Sequence, residues 1–499
     1  MAFASFGVRD ALATAAVLAA GAAAILPGLG RAPLTAWDEA DYAQVVREWV
    51  AAPGLTLRME GTPYLEKPPL MFALMGAFVA ALGESERALR LPSAIFGIVG
   101  PALAFAAARR AGASLAAGLL AALFLLGVPH WVAWSRTCML DVGLTTLALG
   151  AVALLLGREP PSRARLLGAG ALLGGAALVK SAAIVFFAPG VLALLAAARA
   201  GDRDRPILGT VLRDAALLLA AALAVALPWH VQQVASHGHR FIDTYFLWNV
   251  FGRLSSPIEA HTGSPLFYVG IYPVNTGALW PVHAAGVLAA LGFGWRDFRS
   301  RASGAGAPQR RRGATLLALA GGALSALALV SLGATKIGWY VMPVYPFAAL
   351  AAALAVDRAL GARARSAFGA ALVLLAGAIA APGIRYGRFE FISHYNVVDQ
   401  ADEIALLRGQ GPFARGRAPR LLVAQLPDTA ARYHLAERVE TLDEPALVRR
   451  IAEAREPLLA LLYARSAEAA VRARRDGRAA IVARTSSLAV VEVAPLPSP

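Results

Sequence analysis

The chain has 499 residues, of which 58% are hydrophobic and 16% charged, with a mean hydropathy of +0.57. A soluble protein of this length carries far more charge, so the composition points to a polytopic membrane protein. The net charge of +15 is almost all arginine, placed in short loops between apolar runs, which is the positive-inside pattern and argues against a nucleic-acid partner.

In chain order, the apolar runs predict spans at about 11–28, 91–108, 113–128, 142–156, 166–179, 183–198, 214–229, 279–295, 314–333, 341–356 and 366–382. The first run can be read as a signal peptide, but so many spans follow that an uncleaved helix is favoured. Basic loops at Arg109-Arg110, Arg158 to Arg165, Arg199 to Arg205, Arg296 to Arg312 and Arg358 to Arg365 are expected on the cytoplasmic side. Segment 70–83 decides the parity. If it crossed, the basic loops from Arg109 to Arg205 would change sides, so it is read as a helix lying along or dipping into the outer interface.

This parity sends the first outer loop, about 29–90, to one face together with Arg136, Asp141, Lys180, the loop 230–278 and Thr335 to Tyr340. Trp131, Trp134, Trp229, Trp280, Trp339 and Tyr340 fall near the same ends, as an aromatic belt would. After Pro382 the chain becomes water-compatible. Short β-like runs at Leu421–Leu426, Pro457–Tyr463, Ala479–Ala483 and Leu488–Val493 alternate with helical patterns at 443–455 and 466–475. The expected fold class is thus an all-α polytopic membrane protein of about 11 transmembrane helices (residues 1–384) with a small α/β domain (385–499) on the outer side.

The stretch from Ala36 to Leu70 is the longest polar loop in the first two-thirds of the chain. Asp38 and Glu39 can act as a general base on a hydroxyl, or simply be solvated loop acids. Lys67, held by Glu66-Lys67-Pro68-Pro69, can bind a phosphate or snorkel at a helix start. Arg136 and Asp141 at the mouth of a span form either a structural pair or part of a site. Lys180 can mark a tight turn between spans. Arg253 and Lys336 add outer-face cations, and His261 is a lone loop histidine. Together these residues suit a substrate with a phosphate headgroup at the bilayer surface. Cys138 is the only cysteine, which leaves no internal disulfide and no thiolate zinc site.

Several of these residues stand in distinctive motifs. They are Asp38-Glu39-x-x-Tyr42-Ala43, Tyr64-Leu65-Glu66-Lys67-Pro68-Pro69-Leu70, Arg90-Leu91-Pro92-Ser93-Ala94 and Ser135-Arg136-x-x-Met139-Leu140-Asp141. Phe251-Gly252-Arg253 before His261, and Lys336-x-x-Trp339-Tyr340-x-x-Pro343, complete the series. In this order, over about residues 36–346, the chain resembles the membrane glycosyltransferases of the protein O-mannosyltransferase and lipid A aminoarabinose transferase superfamily. The resemblance implies a GT-C fold in a bacterial inner membrane, with the active site and the C-terminal domain facing the periplasm. It implies inverting transfer of a sugar from a polyprenyl-phosphate donor to a lipid (lipid A-like) or protein acceptor.

On this resemblance Asp38, Glu39 and Asp141 are the catalytic acids, and Lys67, Arg136, Arg253 and Lys336 bind the donor phosphate. Glu66 and His261 match positions associated with a divalent metal ion in the aminoarabinose branch. The C-terminal domain does not resemble the MIR domains of eukaryotic mannosyltransferases, and Lys180-Ser181 stands where family members often have Lys-Gly. The rival reading is a transporter or flippase for an anionic lipid. It would call for repeated halves and polar groups near the midplane, and the sequence shows neither.

Overall fold

The structure is a computed structural model that describes residues 7–35, 38–200, 207–300, 306–360, 362–389, 401–424, 426, 428–474 and 476–495. The chain forms two compact units, one of Met1–Pro27, Leu65–Met71 and Leu91–Ile392, the other of Gly28–Tyr64, Phe72–Arg90 and Ser393–Pro499.

The first unit is a helical bundle. In chain order the labelled helices are α1 (Val8–Ile25), α2 (Asp38–Ala51, which belongs to the other unit), α3 (Leu70–Leu82, which belongs to the other unit from Phe72 on), α4 (Glu86–Arg110, which belongs to the first unit from Leu91 on), α5 (Leu115–Leu126), α6 (Pro129–Trp134), α7 (Leu140–Leu155), α8 (Arg163–Lys180), α9 (Ala188–Arg199) and α10 (Ile207–His237). The helices Trp280–Arg299, Gly306–Leu332, Val344–Ala359 and Ala362–Phe389 follow. Each expected span falls on one of these helices, the span at 183–198 starting in a 3₁₀ turn at Ser181–Phe187 before α9. Among the described residues seven helices are long and apolar enough to cross a membrane. The chain is a multi-pass membrane protein. With 13 residues α3 rises only about 20 Å, short of a roughly 30 Å hydrocarbon layer.

Burial separates central helices from peripheral ones. Nearly every residue of α7 and of Val344–Ala359 is buried. α10 exposes Leu212, Leu219, Leu223, Leu227 and Val231 along its length, as a lipid-facing helix must. At the α8–α10 crossing, Gly170 and Gly174 sit four apart. A Cβ on Gly170 would lie 2.2 Å from Leu218 O, and one on Gly174 would lie 2.5 Å from Ala222 O. The two backbones therefore touch, as in small-xxx-small crossings of membrane helices.

The tryptophans correct one expectation. Trp131, Trp134 and Trp229 are 0%, 5% and 6% exposed, so they pack inside the protein rather than form an interfacial belt. Trp131 fits because Gly100 has no side chain, and its Nε1 donates to Gly97 O at 3.0 Å. The expected loop 230–278 is also mostly helical. α10 runs on to His237, and a π-helical stretch covers Ile242–Gly252.

In the second unit a five-stranded sheet has the order β4-β3-β5-β7-β6, formed by β3 (Ala418–Ala424), β4 (Ala436–Leu442), β5 (Leu458–Tyr463), β6 (Ala479–Arg484) and β7 (Leu488–Val493). β4, β3 and β5 are parallel, whereas β7 is antiparallel to β5 and β6. Alternation sends Leu421, Val423 and Leu461 to one face and Leu422, Ala424 and Leu462 to the other. Helix Asp428–His434 covers the first face. Helices Glu444–Glu453 and Ala464–Ala473 cover the second. β4 and the helix Asp428–His434 were absent from the hydropathy pattern. β4 reads AERVETL and is an edge strand with mostly exposed charges, so it lacks an apolar run. The hairpin β1–β2 (Arg58–Met59 and Thr62–Pro63) belongs to this unit too.

Candidate active site

Within the helical unit an apolar cleft of about 370 Å³ opens at one set of helix ends. Pro68 and Pro69 fix an extended approach ahead of α3, and Glu66 and Lys67 line the cleft there. Lys180, the last residue of α8, lines it next. The π-helical stretch supplies Tyr245, Phe246, Asn249 and Val250, and Arg253 follows it. Leu329 and Val330 at the end of Gly306–Leu332, with Thr335 and Tyr340, close the wall. Of the residues expected on the outer face, the lining brings together Glu66, Lys67, Lys180, Arg253, Thr335 and Tyr340.

The cations are fixed by different means. Lys180 Nζ donates to both carboxylate oxygens of Asp141, at 2.9 and 3.1 Å, and lies 4.8 Å from the Tyr340 ring centroid. Asp141 sits in the first turn of α7, where a carboxylate also favours the helix dipole. Lys67 Nζ is 3.7 Å from Glu66 Oε2. Arg253 Nη2 donates to both oxygens of Glu259, at 3.3 and 3.2 Å. Glu259 reaches it from a left-handed backbone with φ of 56°. Burial acts to lower the Arg253 pKa, but Tyr340, Glu259 and Glu66 together outweigh it and raise it. Arg253 Nη1 is buried with no hydrogen-bond partner among the described residues. The lining thus gathers three cations, Lys67, Lys180 and Arg253, beside the carboxylates of Glu66, Asp141 and Glu259 respectively, with Arg253 keeping one nitrogen without a partner among the described residues. A larger hollow of about 670 Å³ on the second unit is lined by Arg420, Arg450 and Arg455 against Glu453, Glu456 and Glu492, so its charges cancel.

Residues 66–231 match the family model described as dolichyl-phosphate-mannose-protein mannosyltransferase. A crystal structure of ArnT from Cupriavidus metallidurans bound to undecaprenyl phosphate matches with a TM-score of 0.72 at 20% identity, over 97% of this chain and 99% of that one. The chain has the GT-C fold of that structure. The apo form of the same ArnT gives a TM-score of 0.70 at 19% identity, over 96% of this chain and 97% of that one. The apo oligosaccharyltransferase of Archaeoglobus fulgidus gives 0.51 at 14% identity, over 92% of this chain and 68% of that one. No curated protein matches the chain in sequence.

The GT-C frame leaves the other expected site residues in varied places. Asp38 opens α2 in the second unit, half-buried, with no hydrogen bond or ion pair among the described residues. Glu39 beside it is wholly buried. Its two oxygens accept from Arg90 Nε and Nη2, each at 2.9 Å, and from the Thr35 amide at 2.9 Å. Arg136 donates to the carbonyls of Ile25 and Pro27, capping the end of α1. Lys336 is 6% exposed and turns to the Ser331 and Gly333 carbonyls at the end of Gly306–Leu332, and burial lowers its pKa. Neither Arg136 nor Lys336 lines the cleft. His261 is half-buried, with Nε2 3.9 Å from Glu259.

The residues do not fit a metal ion. No group of three or more His, Cys, Asp or Glu side chains among the described residues could hold one, and Glu66 stands among cations instead. Sequence reasoning noticed Lys180 only as a turn and passed over Glu259 and Tyr340 as partners. The pairing of Lys180 with Asp141 joins residues 39 apart, and only the packing of α7 on α8 reveals it.

Proposed function

We propose that this chain transfers a sugar from a polyprenyl-phosphate donor to a lipid or protein acceptor at the periplasmic face of a bacterial inner membrane. One observation carries the reading: an apolar cleft in a membrane bundle gathers three fixed cations, one of them with a buried guanidinium nitrogen that has no partner among the described residues. That chemistry suits a lipid monophosphate, with apolar walls for an isoprenoid chain and Lys67 and Arg253 for the phosphate. The undecaprenyl phosphate in the ArnT structure supports the same donor class.

In the step we assign, an acceptor oxygen attacks the anomeric carbon from the face opposite the phosphate. The bond from that carbon to the phosphate oxygen breaks, and the electron pair leaves with the polyprenyl phosphate. Lys67 and Arg253 stabilise the charge that develops on the departing oxygens. A lipid monophosphate leaves with less charge than a nucleotide diphosphate, so fixed side chains suffice without a divalent ion. The acceptor proton passes to Asp38, and a single displacement inverts the configuration. The role of Asp38 rests on its place in the family motif and on its unengaged carboxylate. In this assignment Glu39 holds the loop through Arg90, and Asp141 holds Lys180 against the cleft.

Asp38→Asn in lipid nanodiscs is the test. Sugar transfer should fall by at least about 100-fold, in the range of a lost general base, while undecaprenyl phosphate binding stays unchanged. Transfer at the wild-type rate would remove Asp38 from the mechanism.

A further inference from the structure

We propose that Arg432, in the C-terminal α/β domain, is a positioning residue for Asp38. The inference rests on the reading of Asp38 as the base. It starts from one face of α2, where Asp41, Gln44 and Arg47 stand at intervals of three and so lie on one stripe of the helix. All three are bound by the C-terminal segment. Arg432 Nη1 lies 3.3 Å from Asp41 Oδ1 and donates to it. Arg417 Nη2 donates to Gln44 Oε1 at 3.4 Å. Arg47 Nη2 donates to Tyr433 O at 3.1 Å, and its guanidinium lies 4.7 Å from the Tyr433 ring centroid. Stepping back three residues from Asp41 along this stripe reaches Asp38.

Arg432 is the hub of the arrangement. It is 8% exposed and faces three carboxylates, Asp41, Glu60 at 2.7 Å and Asp428 at 3.4 Å. Glu60 reaches it from the turn of the β1–β2 hairpin with φ of 53°, a conformation that a non-glycine residue holds only when its surroundings enforce it. They do so here, because Glu48 of α2 accepts from the Glu60 and Gly61 amides at 2.7 and 3.0 Å. The first turn of α2 is thus held twice, by Glu39 on Arg90 and by Asp41 on Arg432. Asp38 is left at the tip between the two anchors with an uncommitted carboxylate. A clamp built only for stability would have no need to close on the turn that carries this acid.

The test reads residue 38 directly. In full-length protein with Cys138 replaced by serine, a nitroxide on D38C should give an immobilised spectrum. R432A should mobilise it and R432K should largely restore it. D41N removes one contact while leaving Arg432 with Glu60 and Asp428, so it guards against misfolding and should mobilise the label in part. An unchanged spectrum in both R432A and D41N would overturn the inference. Kinetics with undecaprenyl-phosphate-linked aminoarabinose and lipid A as probes separate the two readings. We expect kcat to fall at least tenfold in R432A with the donor KM within twofold, and no further loss when R432A is added to D38N. If D38N abolishes transfer while R432A keeps kcat, only the clamp fails. If D38N transfers normally, the base reading fails and the clamp's purpose fails with it.

Discussion

The two ends of the helical bundle set their ionic side chains in different surroundings. At the end joined by the basic loops, carboxylates are buried and matched. Asp214 meets Arg199 and Arg213, Asp297 meets Arg358 at 2.6 Å, and Asp357 meets Arg312 at 3.0 Å. At the cleft end, Lys67, Lys180 and Arg253 also have acidic neighbours, but they line an open cleft, and one Arg253 nitrogen is buried without a partner among the described residues. A matched pair in an apolar bundle fixes helices relative to one another. A buried guanidinium nitrogen without a partner in the same surroundings is costly until an acceptor arrives, which is what a phosphate oxygen would supply.

Substitution breaks this contrast most sharply at the cleft. Lys67→Ala combined with Arg253→Ala should slow sugar transfer by roughly 1,000-fold and weaken undecaprenyl phosphate binding, as loss of preorganised transition-state charge does. Thermal unfolding of the purified double variant should change less than that of Asp297→Asn, because the carboxylates left behind, Glu66 and Glu259, are partly exposed to solvent. Asp297→Asn should do the reverse. Its carboxylate is 1% exposed, so stranding Arg358 should cost about 3 kcal/mol, read as a lower unfolding midpoint with kcat of the folded fraction intact. If Asp297→Asn lost activity without losing stability, the division of labour between the two ends would be wrong.

A smaller effect comes from the soluble unit. Burial, and then Arg408, Arg47 and Arg90, push the His434 pKa down to about 3 from the usual 6.5. Between those values the unfolded chain takes up a proton that the folded one refuses, so stability falls as pH drops below about 6.5. The loss should reach roughly 2 kcal/mol at pH 5 and be absent above pH 7. Unfolding midpoints of wild type and His434→Gln, measured at pH 7 and pH 5, check this, since the variant should lose that slope.

How much of this was legible in the sequence depended on the range of the signal. Hydropathy marked the spans because each helix must satisfy the bilayer by itself. Proline and charge marked Glu66-Lys67-Pro68-Pro69 because the motif is contiguous. What could not be read were choices made by packing. Arg136 and Lys336 look like Lys67 in the sequence, yet they turn to helix-end carbonyls, because a buried helix end needs donors as much as a phosphate does. Trp131 looked interfacial until Gly100 made room for it. Glu39 and Asp38 are neighbours with opposite fates, decided by Arg90, which lies 51 residues away.

The bare patch where α8 meets α10 has an effect some distance from itself. Gly170 and Gly174 let those two rods lie backbone to backbone, six residues before α8 ends in Lys180, while α10 leads on to the stretch that ends at Arg253. The gap between two ionic fingers is therefore gauged by atoms that are not there. A single added methyl group at that seam would spread the fingers and loosen their hold on an anion, with every charged residue still in place.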